Sequence, residues 1–148
     1  MTRYVHATYC DDIRQEVGGK LTLVGVYNGS LLVPSFPVVL PKLCLALQVV
    51  TAVSEPLKDL TFRVLMDEAT LAEGEMAEGD LAEGFAAIVA DSDDAIPEAD
   101  RRFVLGAHII FSPIKFEQPS IIRVCIETGG EEMKSNALRV AQIAAPAT

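Results

Sequence analysis

The amino-acid sequence predicts an all-β protein, an antiparallel β-sandwich carrying one short helix. Three observations predict it. Apolar residues alternate with polar or small ones in eight or nine short runs, the period of a half-buried strand. Turn-forming residues close almost every run at short spacing, as in sheets built from hairpins. Half of the 148 residues are hydrophobic, which excludes a disordered chain and suffices for one core.

The elements follow in order. Tyr4, His6, Thr8 and Cys10 share one face of a first strand, with Val5, Ala7 and Tyr9 on the other. Asp11 and Asp12, poor strand formers that bond the local backbone of turns, are expected to end it. Gly18-Gly19 reverses the chain, because glycine reaches positive φ at low steric cost. Leu21, Leu23, Gly25 and Tyr27 then alternate with Thr22, Val24 and Val26. Asn28-Gly29 is the strongest short hairpin signal in the chain. Ser30 to Val33 is a short strand that Pro34 ends, and PSFPVVLP is an extended connector with three prolines fixing φ.

Leu43, Leu45, Leu47 and Val49 alternate with Cys44, Ala46 and Gln48, a strand with one apolar face and one small or neutral face. Ser54-Glu55-Pro56 is a loop. Leu60, Phe62, Val64 and Met66 form another strand with Thr61 and Arg63 facing out. Asp67-Glu68 turns it, and Thr70 to Met76 returns as its hairpin partner. The three AEG triplets between Leu71 and Phe85 read as compositional bias, since a solenoid needs many more copies to bury a core. Asp80 and Glu83 make a capping box ahead of a helical stripe at Leu81, Phe85, Ile88 and Val89, so a helix is expected over 81–90 despite Gly84. Asp91 to Asp100 is an acidic loop. Phe103, Leu105, Ala107, Ile109 and Phe111 make a long strand that Pro113 breaks. Ile122, Val124 and Ile126 make the next, Thr128-Gly129-Gly130-Glu131 turns it, and Ala137 to Ile143 closes the domain. Residues 1–143 therefore read as one domain, and 144–148 as a fraying tail.

Two resemblances sharpen the fold. PSIIRVCIETGGEEMKSNALRV resembles the last two strands of immunoglobulin-like modules, although the cysteine pair and the tryptophan of antibody domains are missing; the expected sandwich is immunoglobulin-like or C2-like. CDDIRQEVGGKLTLVGVYNG, followed by LLVPSFPVVLPKLCLALQV and LTFRVLMDE, resembles a family of short uncharacterised bacterial proteins with a domain of unknown function. The resemblance runs over most of the chain and is most specific in the signature CDDIR-x-E-x-GGK-L-x-L-x-GVY. It implies a bacterial β-sandwich and offers no catalytic residue to carry over.

Composition excludes several functions. The net charge of −9 disfavours nucleic-acid backbones and anionic membranes. With no Trp and 6% aromatics, a base-stacking platform is not expected. The three cysteines, Cys10, Cys44 and Cys125, lie in apolar runs without a CxxC pair and read as buried free thiols of a reducing cytoplasm. MTRYVHATYC lacks the apolar core of a signal peptide, and prolines interrupt the most hydrophobic window, Leu31 to Val50.

Motifs for chemistry fail on inspection. Gly18-Gly19-Lys20 is no phosphate loop, since Arg14 stands where its first glycine belongs and Leu21 where Ser or Thr belongs. The carboxylates from Asp91 are no EF-hand, since Ile96 replaces the turn glycine and Arg102 the closing glutamate. His6 and His108, on distant segments, lack an assignable nucleophile and orienter. Charge placement is the most unusual feature: Val64 to Asp100 holds twelve acidic residues and no Lys or Arg, leaving nine acids and twelve bases elsewhere. Asp91, Asp93, Asp94, Glu98 and Asp100 are therefore the candidate acidic interaction surface. The sequence leads to a non-enzymatic cytoplasmic β-sandwich that binds a protein partner or self-assembles, with no cofactor, nucleic acid or membrane. The alternative is a small-molecule- or metal-binding protein, or a small enzyme, with its site in the loops.

Overall fold

The strand richest in buried apolar residues, β5 (Leu43–Ala52), lies beside β1 (Tyr4–Gln15), and the other elements are placed around them. The computed structural model describes residues 3–76, 79, 81 and 96–144. The protein is all-β, with 65% strand and 3% helix. The remaining strands are β2 (Leu21–Val26), β3 (Ser30–Val33), β4 (Val38–Leu40), β6 (Leu60–Met66), β7 (Ala69–Met76), β8 (Arg102–Phe111), β9 (Ile114–Phe116), β10 (Ser120–Thr128), β11 (Glu131–Lys134) and β12 (Leu138–Gln142). A 3-10 turn spans Glu98–Asp100.

The strands form a four-stranded sheet in the order β2-β1-β5-β8, a second sheet β3-β12-β10-β6-β7 with β11 added beside β10, and a small β4-β9 pair. Each larger sheet buries one face, as strict alternation demands. Val5, Ala7 and Tyr9 of β1 and Leu43, Leu45, Leu47 and Val49 of β5 belong to one buried cluster with Val64, Ile122, Val124, Ile126, Leu138 and Val140 of the second sheet. Leu81 joins the same cluster. Removing each such side chain from water is worth roughly 1.5–3 kcal/mol, so this cluster is the main source of stability.

The side chains of Asn136 and Tyr9 tie the two sheets by hydrogen bonds. Asn136, between β11 and β12, accepts from the backbone N–H of Ala7 at 2.8 Å through Oδ1 and donates to the Ala7 carbonyl at 2.8 Å through Nδ2. It thus supplies both bonds that a neighbouring strand would give. The Tyr9 hydroxyl, on the same strand, donates to the Asn136 carbonyl at 2.9 Å.

Several expectations need correction. Asn28-Gly29 does not make a hairpin. Gly29 has φ 90, but β2 lies in the first sheet while β3 pairs with β12 in the second. Leu31 and Val33 are each 2% exposed, so β3 gains more by crossing to the core than by pairing with β2, whose residues are mostly exposed. The β3–β12 pair is parallel, so the sheets are not antiparallel throughout. Asp11 and Asp12 do not end β1, which continues to Gln15 because both carboxylates find cross-strand partners. The proline-rich connector contains β4, which pairs with β9. The hairpin readings at Gly18-Gly19, Asp67-Glu68 and Gly129-Gly130 hold. The expected helix over 81–90 lies outside the described residues, Leu81 excepted, and so do residues 145–148 of the tail.

Candidate functional site

Strands β1, β5 and β8 present their even-numbered residues away from the core. The ladders align them into rows: Tyr4, Val50 and Val104; His6, Gln48 and Gly106; Thr8, Ala46 and His108; and Val26, Cys10, Cys44 and Ile110. No Asp, Glu, Lys or Arg stands in any of these rows. The middle combines the small Thr8, Ala46 and Gly106 with the exposed, neutral polar His6, Gln48 and His108, while Tyr4, Val26, Val104 and Ile110 at the ends and edges are 48–53% exposed. A sheet face in contact with water alone is ordinarily polar.

The second sheet supplies the contrast within one molecule. Its solvent side carries Arg63 opposite Glu73, Thr61 opposite Glu75, and Glu127 opposite Glu132, with Arg123, Lys134 and Arg139 on the adjoining rows. Charges of both signs are interspersed there, the pattern of a solvated surface.

One end of the uncharged face is closed by the signature residues. Gly25 has φ 67, and a Cβ there would collide with the Asp11 carboxylate, so the glycine lets Asp11 lie over β2. Asp11 accepts a 2.5 Å hydrogen bond from the Tyr27 hydroxyl. Burial, reinforced by this bond to a carboxylate, pushes the Tyr27 phenol up to about 12. Asp12 accepts from Lys42 Nζ at 2.6 Å, which holds the Asp12 carboxyl below its ordinary value and Lys42 above its own. Beneath them Cys10 and Cys44 stand directly opposite each other, fully buried, with their thiols directed at the Asp12 and Asp11 carbonyls at 3.4 and 3.7 Å. Burial raises both thiols, so they stay protonated near neutral pH, the opposite of an activated nucleophile. This end clasps β1, β2 and β5 together.

Of the candidate acidic surface, Asp91, Asp93 and Asp94 lie outside the described residues. Glu98 and Asp100 fall in the 3-10 turn, where Asp100 is exposed and its N–H donates to the Pro97 carbonyl at 2.8 Å. Arg101 and Arg102 follow at once and donate to the carbonyls of Ile96 and Ala99. His6 and His108, distant in sequence, reach the same uncharged face, where both are exposed. All three cysteines are buried free thiols. Sequence reasoning missed the juxtaposition of Cys10 with Cys44 and the role of Asn136. Gly25 inside an alternating strand was a readable signal of close approach; Asn136 carried none.

Among the described residues no group of three or more His, Cys, Asp or Glu is placed to hold a metal, and no helix is long and apolar enough to cross a membrane. No curated protein and no solved structure matches the chain. With the family model matched over residues 5–141, from β1 to β12, the chain belongs to the family of unknown function DUF6941.

Proposed function

We propose that this protein is a non-enzymatic interaction module of the cytoplasm, an immunoglobulin-like or C2-like β-sandwich that pairs with a second copy of itself through the uncharged side of the β2-β1-β5-β8 sheet. The observation that carries this reading is the difference between the two solvent-facing sheet sides: one has four successive rows without formal charge, bounded by Asp12 and Arg14 at one end and Arg102 at the other, and the other is laced with charge throughout. Charged residues are depleted from the centres of interfaces, and bulky apolar residues exposed together mark docking surfaces.

An uncharged contact keeps local repulsion out of a pairing with a second copy. Chains of net charge −9 repel each other, and two uncharged faces can meet without opposing like charges. The contact is modest: three strands about 4.8 Å apart over four rows about 6.8 Å apart, with β2 adding one position, give on the order of 400 Å² per copy. That is below the roughly 800 Å² per partner of a standard interface, so association in the micromolar range or weaker follows.

Methyl NMR spectra over a dilution series test the reading. The Val26, Val104 and Ile110 methyl signals should shift with concentration, while those of Ile121, exposed on the other sheet, should stay in place. Shifts at Ile121 alone, or none at any methyl up to millimolar protein, would count against it.

A further inference from the structure

The charged side of the second sheet contains a cluster that its solvation does not explain. Cys125 of β10 stands opposite Arg63 of β6 on one flank and Lys134 of β11 on the other, and Arg123 lies two residues along the same face. Ladder pairing therefore gathers three basic side chains of a strongly acidic protein around one small residue. Among the described residues none of the three makes an ion pair, although Glu73 stands opposite Arg63. The Nε of Arg123 is buried with no hydrogen-bond partner. Buried polar nitrogens are almost always partnered, so an unpartnered one calls for an explanation.

Arg123 borders an open groove of about 250 Å³, lined by Leu65, Asp67, Ile121, Arg123, Cys125 and Lys134. We infer that this groove binds a small monocarboxylate with a short apolar body, its carboxylate received by Arg123 and Lys134. The guanidinium offers a planar fork matched to the two oxygens of a carboxylate, and Lys134 adds a second positive charge. Leu65 and Ile121 supply apolar walls. Asp67 decides between anions. Its carboxylate borders the groove, where it accepts from the Ile121 N–H at 3.0 Å, so the lining carries a net charge of about +1. A monoanion neutralises that charge, whereas a phosphate dianion leaves an excess beside Asp67. This inference is independent of the docking face on the other sheet.

The test is amide NMR titration of the full chain with 4-methylpentanoate, its neutral amide and inorganic phosphate. Saturable shifts are expected at Leu65, Ile121 and Cys125 with the carboxylate, and at least ~10-fold weaker binding of the amide, the scale of losing a charge-assisted bond. Arg123→Gln should weaken the carboxylate by a similar factor. Lys134→Gln, at an exposed position that should not affect folding, should weaken it by a smaller factor. The inference is overturned by no saturable shift up to 50-fold excess of carboxylate over protein, by equal binding of the amide, by tighter binding of phosphate, or by unchanged affinity in a folded Lys134→Gln.

Discussion

Replacing Asn136 by alanine removes the paired side-chain hydrogen bonds that hold β1 to the segment joining β11 to β12, and leaves the Tyr9 bond to the Asn136 carbonyl. Two bonds of 2.8 Å are lost, both to the backbone of Ala7, which is 1% exposed. If the freed groups stayed dry, each would cost about 1–3 kcal/mol. Asn136 itself is exposed, however, so water can enter where its amide stood. The net value of a hydrogen bond, about 0.5–1.5 kcal/mol each, is then the better scale, giving about 1–3 kcal/mol in total. For a domain of this size that corresponds to a fall in Tm of roughly 3–10 °C. Asn136→Asp separates the two bonds. An ionised carboxylate still accepts from the Ala7 N–H but opposes the Ala7 carbonyl, whereas the neutral acid can donate to it again. The folded pKa of that new carboxyl is therefore raised, so its contribution is complete below the unfolded value and lost as pH rises through the folded one. Urea unfolding of parent and variants at pH 4 and pH 7 is the assay. An alanine cost under about 0.3 kcal/mol, or an aspartate variant with the same deficit at both pH values, would refute the reasoning.

Three other outcomes are expected. Gly25→Ala should destabilise by roughly 1–3 kcal/mol, from positive φ and from displacing Asp11, and by less in an Asp11→Ala background, where only the backbone cost remains; equal costs in a double-mutant cycle would remove the contact from the account. Absorbance at 295 nm during base titration should show a phenol ionising near 12 that vanishes in Tyr27→Phe and moves down in Asp11→Asn, and the stability it confers should be present below pH 10 and lost towards 12. All three cysteines should react with a thiol reagent after denaturation without reductant, the two opposed ones included, and fewer than three in anaerobically prepared protein would contradict the reduced state.

Much of the fold was legible because alternation reports burial directly. The runs around Leu43 to Val49, Leu60 to Met66 and Ile122 to Ile126 each became a strand with the expected side inward. What period alone cannot give is which strand pairs with which. Asn28-Gly29 is a strong local turn signal, but the burial of Leu31 and Val33 against β12 outweighed it and sent β3 to the other sheet. Carboxylates at Asp11 and Asp12 signal a turn only when they lack partners, and Tyr27 and Lys42 are partners from other segments. The candidate face was hidden for the same reason. Tyr4, Val26, Val104 and Ile110 come from three strands and each looks like an isolated exposed residue until the register aligns them.

Sedimentation equilibrium on the parent and two aspartate variants tests the docking face most directly. Ile110→Asp places a charge on the uncharged face at a residue 53% exposed, and Ile121→Asp places one on the opposite sheet at a residue 46% exposed. The parent and Ile121→Asp should show the same weak monomer–dimer equilibrium, and Ile110→Asp should remain monomeric to the highest concentration reached. Equal loss of association in both variants, or a parent that stays monomeric throughout, would contradict the assignment of that face.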